Sequence, residues 1–112
     1  MSTWTPYAIP SGRQTSSALV SSGQNIVSAI AIFTDGTNDA TLTVYDNTAA
    51  SGTIVWGPHT VKGEDLAGGP PITIPFIVDN GLYCKIEGTG AYYHVFYVEA
   101  SIWLKGAKAE RL

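Results

Sequence analysis

The sequence predicts an all-β protein, an antiparallel β-sandwich of seven or eight strands with an extended N-terminal arm. From Ser16 onward, short runs rich in β-branched and aromatic residues alternate with clusters of glycine, asparagine and aspartate, a pattern typical of strands joined by turns. No segment keeps an apolar 3.6-residue period over two helical turns. The 112 residues are 45% hydrophobic and 13% charged, which suits one domain with one core and is too apolar for intrinsic disorder.

The predicted arm comprises residues 1–15. It holds Pro6 and Pro10, which disfavour a helix interior or a central strand, and only one charged side chain, Arg13. The eighth strand, if formed, lies in this arm. The sandwich domain follows over residues 16–104, and residues 105–112, which carry three basic side chains, are predicted to form a polar tail.

Seven strands are predicted within the sandwich domain, each bounded by turn residues. They span residues 16–21, 26–33, 40–46, 53–61, 72–78, 82–87 and 92–103. Pro58 and Pro75 interrupt two of these runs, so those two strands are expected at sheet edges or with a bulge.

Two connections receive particular predictions. Asn80-Gly81 separates two strands and is predicted to form a two-residue hairpin turn of type I′. Residues 63–71, which include Gly68-Gly69-Pro70-Pro71, form the longest connection and are expected to cross from one sheet to the other.

Alternation along the strands predicts which side chains face the core. Leu82, Cys84 and Ile86 alternate with more polar neighbours, so they are expected inside, with Cys84 as a buried small hydrophobic residue. Residues 26–33 and 92–103 are instead apolar on both faces, which one core in so small a sandwich cannot accommodate. A second cover is therefore expected, either the arm or another subunit, and the low charge favours a symmetric oligomer.

The sequence predicts no enzyme, cofactor or metal site. His59 follows a proline and His94 shares its face with apolar residues, so neither is placed beside a nucleophile. Residues 35–39 suit a turn whose Asp and Asn side chains cap their own backbone, with a calcium loop as the alternative. The single Cys84 and the absence of a signal-like N-terminus indicate folding in a reducing cytoplasm.

Charge and hydropathy argue against nucleic-acid and membrane partners. The formal net charge of −3 gives no basic patch for a phosphate backbone. No apolar run approaches the roughly 20 residues that a membrane-spanning helix needs.

Two passages resemble small all-β virion proteins of tailed bacteriophages. The first consists of Asp35-Gly36-Thr37-Asn38-Asp39, Thr41-Leu42-Thr43-Val44-Tyr45-Asp46 and Ser51-Gly52-Thr53-Ile54-Val55-Trp56. The second consists of Asn80-Gly81-Leu82-Tyr83, Ile86-Glu87-Gly88-Thr89-Gly90-Ala91 and the aromatic strand 92–97. The resemblance covers roughly residues 16–100 and rests on turn and strand motifs.

This resemblance implies a β-sandwich or jelly-roll-like subunit that attaches to an assembled shell or tail, with no catalytic residue. We expect a capsid decoration, or cement, protein: a homotrimer on the virion surface that binds the major capsid protein and is made in the cytoplasm of the host bacterium. A tail, neck or head-fibre component is the alternative within this class. A carbohydrate-binding adhesion module, using the exposed aromatics Trp56 and Tyr83, is the alternative from another class.

Two sets of residues are assigned to contacts. The arm residues assigned to the shell are Trp4, Tyr7, Ile9 and Arg13, with Arg13 as an ion-pair donor. The residues assigned to the contact between subunits are Tyr93, Tyr97 and Trp103.

Overall fold

The computed structural model describes residues 8–68 and 75–100, which form nine strands in two antiparallel sheets. Sheet A contains β1 (Ile9–Pro10), β3 (Asn25–Phe33), β6 (Ala67–Gly68), β7 (Phe76–Val78) and β9 (Tyr92–Glu99). Sheet B contains β2 (Ala18–Ser22), β4 (Ala40–Asp46), β5 (Ile54–Val61) and β8 (Gly81–Glu87). The order in sheet A is β1-β9-β3, with β6 and β7 paired to opposite ends of β3, and the order in sheet B is β2-β8-β4-β5.

One hydrophobic core lies between the two sheets. Its fully buried side chains include Val27, Ile32, Tyr93 and Val95 from sheet A and Leu42, Val44, Leu82 and Cys84 from sheet B. The all-β, antiparallel, two-sheet prediction is therefore confirmed, and the packing is sandwich-like. The structure has nine strands instead of seven or eight, because β1 forms in the arm and the two-residue β6, too short to leave a sequence pattern, joins sheet A.

Both proline-interrupted runs lie at sheet edges, as predicted. The strand β5 is the outer strand of sheet B, and its pairing with β4 shifts register on both sides of Val44, near Gly57-Pro58. Pro75 immediately precedes β7, which pairs only with β3 among the strands described. A proline is tolerated at these places because no central-strand hydrogen bond is lost.

The predicted hairpin at Asn80-Gly81 is wrong. The strand before it, β7, pairs with β3 in sheet A, whereas the strand after it, β8, pairs with β2 and β4 in sheet B. The turn instead carries the chain between the sheets, and the Asp46 carboxylate accepts hydrogen bonds from the backbone N–H groups of Asp79 and Asn80. A Cβ at Gly81 would lie 2.6 Å from the Asn47 carbonyl oxygen, so glycine is required here for close approach.

The predicted crossing over residues 63–71 is present in its described part. After β5, a 3-10 helix at Gly63–Asp65 leads into β6, which pairs with β3 in sheet A. The buried Thr34 side chain donates to the Gly63 carbonyl at 2.9 Å and fixes this turn beneath the end of β3. A Cβ at Gly63 would overlap the Thr37 carbonyl, which explains the glycine. Residues 69–74 lie outside the described part.

Candidate interaction surface

The face of sheet A that points away from sheet B is apolar along its length. Neighbouring residues of a strand point to opposite faces of the sheet. Val27, Ile32, Tyr93 and Val95 point into the core, so their neighbours point away from sheet B. We call this surface the outer face of sheet A; its members are Ile26, Ala29, Ala31 and Phe33 on β3, Tyr92, His94, Phe96 and Val98 on β9, and Ile77 on β7.

A β-bulge at Ser28 sets which side chains of β3 face the core beyond Val27. Val27 pairs with Tyr97 and Ala29 pairs with Phe96, so Ser28 is an extra residue between them, and its hydroxyl donates to the Phe96 carbonyl at 3.1 Å. Without this extra residue, every side chain after Val27 would change sides. The bulge therefore places Ile32 in the core and leaves alanine on the outer face.

An aromatic cluster forms one end of the outer face of sheet A. Phe33 and Tyr92 stack with ring centroids 4.8 Å apart and an interplanar angle of 8°, and His94 meets Phe33 edge-on at 5.6 Å. The Arg13 guanidinium lies 4.1 Å from the centroid of the Tyr92 ring. Since β3 and the arm flank β9 on opposite sides, Tyr92 is held between an aromatic ring and a cation.

The corresponding outer face of sheet B is mostly polar, apart from one apolar row across its strands formed by Leu19, Tyr83, Tyr45 and Ile54. The hydroxyl oxygens of Thr41 and Thr60 lie 2.8 Å apart, within hydrogen-bond distance. Lys85 and Glu87 form an exposed ion pair at 3.6 Å, which salt and water weaken to a minor contribution. Tyr83, predicted to be exposed, is half-buried here and meets Tyr45 edge-on, with ring centroids 6.4 Å apart. The outer face of sheet A is the candidate interaction surface, because it is apolar along its whole length and that of sheet B is apolar along one row only.

Tyr93, assigned from the sequence to a subunit contact, is a core residue. Its side chain is 0% exposed and its hydroxyl donates to the Ser16 carbonyl at 3.3 Å, so the assignment is corrected. Tyr97 lies on the same inward side and packs against the core, although it stays partly exposed near the edge of sheet A. Alternation separated the two faces of β9 correctly, and the subunit contact predicted for Tyr97 stays a prediction. Trp103 lies outside the described residues.

The described part of the arm extends sheet A instead of covering it. Ile9 pairs with Tyr97 and is 40% exposed, and Gln14 exchanges two backbone hydrogen bonds of 3.0 Å with Tyr93. Between them, the Ser11 N–H donates to the Val95 carbonyl and the Val95 N–H donates to the Ser11 hydroxyl.

These bonds satisfy the edge of β9 that would otherwise be open. The contacts predicted with a shell for Ile9 and Arg13 stay predictions. Trp4 and Tyr7, given the same role, lie outside the described residues.

The loop at residues 35–39 has the geometry of a capped turn. The Asp35 carboxylate accepts hydrogen bonds from the N–H groups of Asn38 and Thr37, at 2.7 and 2.9 Å, and from the Asn38 side-chain amide. These donors, led by the Asn38 N–H, hold the pKa of Asp35 below its ordinary value. Asp39 accepts from the Gly63 N–H at 3.0 Å. The prediction of a turn whose side chains cap their own backbone is confirmed.

Cys84 and Tyr93 lie in the core, and Trp56 packs against it. Cys84 is fully buried, as predicted, and burial raises the pKa of its thiol to about 12. Burial also raises the pKa of Tyr93. Trp56, predicted to be exposed, is half-buried against the core and its ring lies 5.9 Å from that of His59.

Comparisons with known protein families, with curated proteins and with solved structures found no match. Within residues 8–68 and 75–100, no helix has both the length and the apolar character needed to span a membrane. In the same residues, no three His, Cys, Asp or Glu side chains come together as a group that could hold a metal ion.

Proposed function

We propose that this chain is a structural component of a tailed-phage virion, a capsid decoration protein that binds and stabilises the assembled head shell. The observation that carries the proposal is the outer face of sheet A, which is apolar along its length, on a protein whose other outer face is mostly polar. An exposed apolar face of about this size marks a site where another surface binds. A decoration protein acts as an oligomer that buries surface between its own copies and against the shell, which requires apolar surface and no catalytic group.

The virion setting comes from the sequence resemblance, and the finer description of the fold as jelly-roll-like belongs to the same proposal. The partner is the major capsid protein, and Trp4, Tyr7, Ile9 and Arg13 are proposed to reach it, since β1, within the described part of the arm, lies at the edge of sheet A. A partner that binds only the assembled shell stabilises that shell increasingly as its occupancy rises. The resemblance leads us to expect three chains per assembly, and the molecular mass of the purified chain distinguishes this trimer from a dimer.

The proposal is tested by counting copies of this chain per particle. Quantitative mass spectrometry of phage particles, purified from a culture that expresses the chain, gives the ratio to the major capsid protein. A ratio near one, or a simple fraction such as one third, supports decoration of the whole lattice. A handful of copies would assign the chain to the tail, neck or a head fibre, and its absence from particles would overturn the proposal.

A screen of immobilised glycans separates decoration from a carbohydrate-binding adhesion module. Sugar binding would depend on the Trp56 or Tyr83 ring, because flat aromatic faces stack on sugars. A decoration protein shows no saturable binding in this screen. Saturable binding that is lost in Trp56→Ala or Tyr83→Ala would contradict decoration as the main role.

A further inference from the structure

We propose that a second copy of this chain covers the outer face of sheet A across a two-fold axis. The place of the pair in a particle rests on the proposed function. The geometry of the pair depends only on the described residues. A face that meets the same face of another copy requires a two-fold axis that lies in the plane of the contact. Two chains, and not three, then form the unit built on this face.

The size of the face suits a pair. The eight residues of β9, at about 3.3 Å each, give the face a length of about 26 Å. Four strands side by side, at about 4.8 Å each, give it a width of about 19 Å. Two copies would bury on the order of 1,000 Å², which is the lower end of specific protein interfaces. The pair is therefore expected to dissociate on dilution.

The distribution of charge also permits this contact. The nine members of the face carry no acidic or permanently charged side chain, so two copies can meet without burying an unpaired charge. Arg13 lies at the end of the face that holds Tyr92. Asp79 lies at the other end, exposed and accepting a hydrogen bond from the Gln24 amide at 3.0 Å.

Arg13 and Asp79, at opposite ends of the face, favour one orientation of the axis, since the Asp35 carboxylate at the Arg13 end already accepts hydrogen bonds from its own turn. A two-fold axis that runs across the strands brings the Arg13 end of one copy over the Asp79 end of the other. An axis along the strands would instead bring the two Arg13 ends together. The two sheets would then stack with their strands close to antiparallel, as aligned sheets do in sandwiches.

Sedimentation of the purified chain over a wide range of concentrations tests the pairing. The wild type is expected to pass from monomer to dimer as concentration rises. Ala29→Glu places a charge in the middle of the face at an exposed position, and it is expected to weaken association at least about a hundredfold. Thr60→Glu adds the same charge to the outer face of sheet B and is expected to leave association unchanged.

A wild type that stays monomeric, one that forms trimers, or an Ala29→Glu variant that associates as the wild type does would each overturn the pairing. Far-UV circular dichroism of both variants reports whether the strands are retained. If Ala29→Glu loses its strands, cross-linking decides the question instead.

Cross-linking tests the symmetry with a variant that adds no charge. Ala31 lies near the middle of the face, so a cysteine there is expected to face its own copy across the axis. A short bismaleimide should join Ala31→Cys chains into dimers and should leave the wild type, whose Cys84 is buried, and Thr60→Cys as single chains. Equal cross-linking of Ala31→Cys and Thr60→Cys would overturn the proposal.

Failure of the pairing and failure of the virion proposal remain distinguishable. A chain that dimerises through this face but is absent from particles keeps the pairing and loses the virion role. A chain that occurs in particles at lattice stoichiometry but is monomeric in solution, with Ala29→Glu still incorporated, loses the pairing and keeps the virion role.

Discussion

The Asp46 carboxylate at the end of β4 lies 2.7 Å from the backbone nitrogen of Asn80, at the turn where the chain passes from sheet A to sheet B. The same oxygen atom accepts a hydrogen bond from the Asp79 N–H at 2.9 Å. One side chain therefore satisfies two backbone donors of a turn that makes no hairpin, and it fixes β7 in one sheet relative to β8 in the other.

Asp46→Ala is expected to lower the free energy of unfolding by about 1 to 2 kcal/mol, because two N–H groups lose a charged acceptor at a site still open to water. Asp46→Asn keeps a neutral acceptor and is expected to lose less. Urea denaturation measures both values. Glu87→Ala, which removes only an exposed ion pair, is the matched control and should change little. An Asp46→Ala variant as stable as that control would contradict this role.

Stability should fall in acid through Asp46 and Asp35. Desolvation raises the pKa of Asp46, but the N–H donors of Asn80 and Asp79 outweigh it, so the pKa lies below the ordinary value. The pKa of Asp35 is lowered by its own turn. A lowered folded-state pKa stabilises the fold above the unfolded-state pKa of about 3.9, and this stabilisation is lost as the pH falls through the folded-state value.

Urea midpoints measured from pH 6 down to pH 2 check this expectation. The wild type should lose stability below about pH 4, the range in which the unfolded carboxyl groups take up protons. An Asp35→Asn, Asp46→Asn double variant should start lower and decline less steeply. A decline as steep in the double variant as in the wild type would assign the acid sensitivity to other carboxyl groups.

Tyr93→Phe distinguishes a core tyrosine from an interface tyrosine. The substitution removes one hydrogen bond to the Ser16 carbonyl and keeps the ring, so we expect a loss of about 1 kcal/mol in the free energy of unfolding. Association measured by sedimentation should not change, since the ring faces sheet B. A variant with native stability and weaker association would restore Tyr93 to the subunit contact.

Two deletions should separate the structural and binding parts of the arm. Removing residues 1–7 leaves β1 in place, so the fold should be as stable as the wild type, while binding to purified shells in a pelleting assay should weaken. Removing residues 1–14 also strips Ser11 and Gln14 from the edge of β9 and should lower the melting temperature. Shell binding that survives the shorter deletion would exclude Trp4 and Tyr7 from the contact.

Strand positions followed from the sequence wherever one face of the strand is polar. The predicted limits 40–46 match those of β4, and Leu82 and Cys84 lie in the core as alternation required. Such strands are determined locally, because only one placement buries the apolar residues and leaves the polar ones in water. The turn at residues 35–39 followed in the same way, since its side chains bond to their own backbone.

The candidate surface was predicted only in part. The sequence showed that residues 26–33 and 92–103 are apolar on both faces and need a second cover. It placed Tyr93 at a contact between subunits instead of in the core, because Tyr92 and Tyr93 have the same local pattern although they point to opposite faces. The bulge at Ser28 and the packing against sheet B decide which face turns inward, and neither leaves a signal within a single strand.

By itself, the sequence determined the all-β class, the positions of the main strands, the burial of Cys84 and the excess of apolar strand surface. These depend on residue type and on a two-residue period, both of which are local properties. Only the tertiary structure decided that Asn80-Gly81 crosses between sheets, that Tyr93 is buried and that the arm completes the edge of β9. Each of these depends on which strands pair over long separations in the chain, and that choice is made by the hydrogen bonds and packing of the whole fold.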